Sequence, residues 1–140
     1  MNTFIKREYD YAIRICAYLA GQKKSEPIPL SQIAKKLQLT KPFTTKIMHQ
    51  LKKGGITESV QAKTGGVFLA REATKLSLLE ILKSMNFNST LNECVSDHDH
   101  CPLVGFCQIH QFFNQTEVKL LEIFATKMIS ELIISDIDLT

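Results

Sequence analysis

Two short helical periods, a three-residue turn, a glycine pair, a β-branched run and a returning apolar run fill residues 30–70 and leave little choice of fold. Leu30–Leu37 carries Ile33, Ala34 and Leu37 on one side, with Ser31 as a candidate cap. Gln38-Leu39-Thr40 makes a tight turn. Thr40 is a good N-cap, and Pro42 suits the first turn of the helix that follows. That helix runs to about Lys53, turning Phe43, Ile47 and Leu51 inward, and Gly54-Gly55 end it. Two short helices joined in this way are a helix-turn-helix. Ile56–Val60 and Val67–Ala70 then read as two strands around a glycine-bearing loop. A hairpin directly behind a helix-turn-helix is a wing.

The flanks are helical. Residues 6–21 place Tyr9, Ala12, Ile13, Cys16, Leu19 and Ala20 at steps of three and four, and Cys16 reads as a small buried hydrophobe. Residues 22–29 are a polar, proline-punctuated loop. Ser77–Met85 is another short helix, with Ser77 as its cap. From Thr116 to Ile134 the spacing predicts a long helix. Val118, Leu121, Ala125, Met128 and Leu132 form a coiled-coil seam, widened by Leu120, Phe124, Ile129 and Ile133. So broad an apolar face points to a homodimer helix. The expected class is mainly α with a small β-hairpin: a winged helix-turn-helix plus a long C-terminal dimerisation helix. Three parts are expected: residues 1–85, a Cys/His loop at 86–115, and the dimerisation helix and tail at 116–140.

The net charge of +3 conceals a division. Residues 1–85 hold fifteen Lys/Arg against six Asp/Glu, and residues 86–140 hold two against eight. Only the first part suits a polyanion. No stretch of the sequence is apolar enough for a membrane span, and the first residues carry acids where a signal peptide would be apolar. A cytoplasmic protein is expected, in which cysteines serve as metal ligands or redox groups more often than as disulfides.

A reading helix presents polar side chains to bases and phosphates. Outside its apolar stripe the second helix of the pair offers Lys41, Thr44, Thr45, Lys46, His49, Gln50 and Lys53. Lys63 at the wing tip suits a phosphate or a narrow minor groove. A two-fold dimer would set two such helices about 34–36 Å apart or farther on double-stranded DNA, so the expected target is an inverted-repeat operator.

Cys94, His98, His100, Cys101, Cys107 and His110 crowd one polar stretch, with the spacing C-x6-C-x5-C-x2-H. Cys3His is a complete tetrahedral zinc set, and thiolates with one histidine also hold iron–sulfur clusters. Spacing alone does not separate the two. A redox enzyme is a third class, but the chain has no Gly-rich cofactor loop and no CxxC pair, so no catalytic residues are assigned.

The segments LSQIAKKLQLTKPFTTKIMHQLKKGGITESV, QAKTGGVFLA, LSLLEILKSM and CVSDHDHCPLVGFCQIH, taken together, resemble the IscR/NsrR-type winged-helix iron–sulfur transcriptional regulators (the Rrf-two family). The resemblance covers nearly the whole chain. It implies a DNA-binding regulator, a repressor, whose affinity follows a cluster that senses redox state, nitric oxide or iron supply. Family members carry three cysteines after the wing, most often as C-x5-C-x5-C; here the first gap is one residue longer. The resemblance makes Cys94, Cys101 and Cys107 ligands. In the IscR branch a histidine three residues beyond the third cysteine completes a [2Fe–2S] site, and His110 matches it. In the NsrR branch a first-helix aspartate from the partner subunit completes a [4Fe–4S] site, and Asp10 stands at the similar place. His98 and His100 are expected to be exposed loop residues. The alternative is a zinc-stabilised or cluster-free winged-helix regulator.

Overall fold

The computed structural model describes residues 3–23, 26–61, 63, 65–88, 90–91 and 106–139. Five α-helices and one hairpin are found among them. Helix α1 (Arg7–Ala20) lies at the centre. The sequence pattern points to a single stripe, but Ile15, Ala17 and Tyr18 are buried as well, while Ile13 and Ala20 are only partly so. The reason is that α1 is covered on several sides, by the helices at Lys41–Lys53 and Leu78–Ser84, the wing and the chain beyond the helix at Gln108–Thr126.

Helix α2 (Leu30–Lys36) begins at Pro29, whose carbonyl accepts from the Gln32 and Ile33 N–H groups. Ser31 therefore lies inside the first turn and does not cap, contrary to the sequence expectation. Gln38 takes φ +56° in the turn, and the Leu39 N–H closes back onto the Ala34 carbonyl at 2.8 Å. Helix α3 (Lys41–Lys53) is capped by Thr40, whose hydroxyl accepts from the Phe43 N–H at 3.3 Å.

Strands β1 (Thr57–Val60) and β2 (Gly66–Leu69) pair antiparallel, with Thr57 opposite Leu69 and Val60 opposite Gly66. Ile28 adds a bridge to Val67 through two bonds of 2.8 Å. At Gly66 a Cβ would overlap the backbone of Ile28, so glycine is what lets the wing root against the loop before α2.

Helix α4 (Leu78–Ser84) opens on a complete capping box between Ser77 and Glu80. Glu80 accepts from the Ser77 N–H at 2.9 Å and pairs with Arg71 at 2.8 Å. The Ser77 N–H above all, then Arg71, holds its carboxyl below the usual glutamate range against the opposing effect of partial burial. A lowered folded-state value stabilises the fold above the ordinary glutamate pKa, and the contribution disappears as pH falls through the lower value. Glu80→Gln is thus expected to lower the urea midpoint at pH 7, with a deficit that shrinks at acid pH as the parent's Glu80 takes up its proton. An equal deficit at neutral and acid pH would show that charge is not involved.

Helix α5 spans Gln108–Thr126, about 28 Å at 1.5 Å per residue. The predicted helix over 116–134 is thus displaced: it starts eight residues earlier and stops eight earlier. Lys127 and Met128 are extended instead. Met128 bridges Ser77, and Ile129 enters the core beside Leu76, Ile81 and Leu82. Met128 and Leu132 therefore do not continue a seam on α5. Among the described residues, no helix is long and apolar enough to cross a membrane.

Candidate nucleic-acid interface and cluster site

Ile47, Met48 and Leu51 bury one side of α3 against α1, β1 and α4. At 100° per residue the opposite side carries Lys41, Thr45, Lys46, His49, Lys52 and Lys53, all exposed. Of the predicted reading residues, Lys41, Thr45, Lys46, His49 and Lys53 share this face, and Gln50 lies half-buried at its edge. Lys63 is exposed between the strands.

Thr44 is a correction. It is 1% exposed, and its hydroxyl donates to the Thr40 carbonyl at 2.9 Å. A buried side chain bonded back to its own helix start does not meet a duplex. Thr44 and Thr45 differ by 100° around the axis, which carries one inward and the other outward.

Two features went unread in the sequence. Lys52 shares the exposed face, and its ammonium donates to the Ser59 hydroxyl on β1 at 2.9 Å, tying α3 to the wing. Arg7 and Arg14 flank the start of α3 from α1. The Arg7 guanidinium stands 4.7 Å from the Phe43 ring centre and 5.2 Å from that of Tyr11, while Arg14 stands 5.6 Å from Tyr11. The spacing Arg7–Tyr11–Arg14 is itself a helical face and was the available signal. Lys46 meets Glu8 of α1 at 3.7 Å, an exposed pair of small energetic weight.

The cysteine site is described in part. Cys94, Cys101, His98 and His100 lie outside the described residues. Cys107 is the N-cap residue of α5 and half-buried. His110 follows one turn on, 8% exposed. An i, i+3 pair lies on one helix face, so a thiolate and an imidazole at the head of α5 suit two of a cluster's four ligands. Asp10 lies on α1, where its carboxylate accepts from the Arg14 Nε at 3.1 Å. Asp10, Cys107 and His110 do not form a metal-holding group among the described residues. Burial pushes the Cys16 thiol up to about 12, so it is an inert core group, as its place on α1 predicts.

Comparison with known proteins agrees with this architecture. The chain is 27% identical over 131 residues to the HTH-type transcriptional regulator NsrR of Shouchella clausii, covering 93% of this chain and 88% of that one. The solved structure of CymR, the global cysteine regulator of B. subtilis, superposes with a TM-score of 0.78 at 18% identity, covering 94% and 96% of the two chains. IscR of T. potens superposes with a TM-score of 0.73 at 19% identity, covering 94% and 85%. The two superpositions speak for the fold. The relatives are transcriptional regulators, so the redox-enzyme alternative gains nothing from them. Because the match runs from residue 5 to residue 134, this chain belongs to the Rrf2 family of iron-dependent transcriptional regulators.

Proposed function

We propose that two copies of this chain bind an inverted-repeat operator in double-stranded DNA, in the cytoplasm and as a repressor, with an affinity set by an iron–sulfur cluster. The observation that carries the DNA reading is the one-sided charge of α3: four exposed lysines, Thr45 and His49 opposite a buried stripe of Ile47, Met48, Leu51 and Thr44 that carries no charge. The wing, with Lys63, stands beside it. For the pairing of copies, the support is α5. Ile109, Phe112 and Ile123 are exposed on it, at spacings that put them on one face. That face is not the Val118/Leu121/Ala125 seam read from the sequence, although Val118 is also exposed.

Cys94, Cys101 and Cys107 would hold the cluster, with His110 as the fourth ligand because it shares the head of α5 with Cys107. Asp10 of a second copy is the alternative, and it would first have to leave Arg14. When bound, the cluster supplies thiolate–iron bonds that respond to oxidants, nitric oxide or iron supply. Cys107 opens α5, and α5 packs along α4. A change of ligation at Cys107 therefore acts on the first turn of the helix proposed to pair the copies.

The DNA reading has a direct test. Each phosphate contact contributes about 0.9 to the slope of log affinity against log salt. Lys46→Gln with Lys53→Gln should lower that slope by roughly 1.8 and weaken binding across duplex sequences alike. Both side chains are exposed, so stability should not change. A slope equal to the parent's would remove α3 from the interface.

A further inference from the structure

Beyond α5 the chain crosses three other elements and bonds to each. The Ile129 N–H donates to the Leu76 carbonyl, and the Leu78 N–H donates to the Lys127 carbonyl, both at 2.8 Å. The Ile134 N–H then donates to the Ala17 carbonyl of α1 at 3.2 Å. The path lies so close to the end of α1 that a Cβ at Gly21 would stand 2.8 Å from the Ile134 carbonyl oxygen. Further on, the Asp136 carboxylate accepts from the Tyr18 hydroxyl at 2.9 Å and meets the Lys36 ammonium at 3.4 Å. Gln32 completes the group by donating to the Tyr18 oxygen at 3.1 Å. Leu139 packs against the core and lines a cleft with Gln32 and Lys36.

Tyr18 belongs to α1, Gln32 and Lys36 to α2, and Asp136 to the segment after α5. One carboxylate thus joins three parts of the fold. The Lys36 pair alone is half-exposed and weak. The Tyr18 bond is different in kind, because its ring is fixed in the core and its acceptor is ionised. Helix α2 needs such fastening. It has seven residues and no side-chain cap, and a helix of that length does not hold its place in water alone.

We propose that residues 134–139 form a strap that fixes α2, and with it the reading helix α3, relative to α5, and that Asp136 is its fastening point. A movement of α5 then reaches the helix-turn-helix along a continuous stretch of chain as well as through α4. The effect on DNA rests on the reading proposed above. The effect on α2 does not.

Asp136→Ala and Asp136→Asn test it. The first readout is backbone amide exchange in the free protein. In Asp136→Ala, amides of α2 should exchange about tenfold faster while Ile81 and Leu82 of α4 stay within about twofold of the parent. Asp136→Asn keeps an acceptor for Tyr18 and should fall between. The second readout is affinity for a duplex selected by the parent protein from a randomised pool, against the same duplex cut to one half-site. The two-site duplex should lose about five- to tenfold and the single half-site less than about twofold, since only the former demands a fixed relation between two α3 helices. Equal acceleration of α2 and α4, or equal loss on both duplexes, would reduce Asp136 to a general stabiliser and overturn the strap. So would unchanged exchange, or a loosened α2 with full two-site affinity. If the parent selects no duplex at all, the DNA reading fails, and the exchange data still decide whether α2 is strapped.

Discussion

Protein carrying Cys94→Ala, Cys101→Ala and Cys107→Ala is expected to be colourless and free of iron when isolated without air, and the parent is expected to be brown. Its affinity for a parent-selected duplex should differ from that of the anaerobic parent by about 5- to 150-fold, the usual range for coupling between two sites. The cysteines belong to a part of the sequence well beyond α3, and the proposed coupling requires that their ligation favour one arrangement of the reading heads over another. Cys107 is well placed for this, at the N-cap of α5. The same preparations separate the alternatives. A zinc protein is colourless but contains stoichiometric metal, and the iron and sulfide counted per protein copy, about two of each or about four of each, together with the EPR spectrum, distinguish [2Fe–2S] from [4Fe–4S]. His110→Ala in the otherwise unaltered parent, against Asp10→Ala, checks the fourth ligand by the loss of iron. Identical duplex affinity for the brown parent and the triple variant would sever the cluster from DNA binding.

The parts of the fold that were legible in the sequence are those fixed by local chemistry. Thr40 caps α3 because its hydroxyl reaches the Phe43 N–H three residues on, and Ser77 and Glu80 cap α4 within one turn. Ile47 and Leu51 on the inner face of α3, and the hairpin, followed from spacing, whereas Phe43 is only half-buried and Met48 and Thr44 turn inward beside them. What was not legible depended on partners far along the chain. Nothing in TKMIS ends a helix by composition, since it holds neither glycine nor proline. The helix ends at Thr126 because Met128 pairs with Ser77 and Ile129 fits the core beside Leu76, some fifty positions earlier. The apolar run therefore serves two purposes, where periodicity suggested one seam. The reading face was legible to within its edges. Thr44 fell on the wrong side of a 100° step, Lys52 and Arg7 were missed because they meet Ser59 of β1 and Phe43 of α3, and Arg14 was missed although its partners Asp10 and Tyr11 lie on its own helix.

Ile123 and Ile129 are six positions apart in that apolar run, yet they should act on different equilibria. Ile129 is fully buried, bonded through its N–H to Leu76 and packed among the core side chains. Ile129→Ala removes apolar contacts that a close-packed interior cannot replace, at a cost of about 2–5 kcal/mol. In a chain of this size that lowers the melting temperature by roughly 10 °C. Ile123 is 62% exposed in the single chain, so truncating it removes little that the monomer's fold depends on. On the proposed pairing face it matters in another way. Ile123→Ser places a hydroxyl in an apolar contact between copies and should shift the protein from dimer to monomer in sedimentation equilibrium at micromolar concentration. Urea unfolding at two protein concentrations makes the distinction sharp. The Ile129→Ala deficit should be the same at both, while any Ile123→Ser deficit should shrink on dilution, because the parent loses its association term as it too dissociates. A large loss of stability in Ile123→Ser that ignores concentration would mean that this side of α5 is covered by its own chain, and the pairing face would then have to be sought elsewhere.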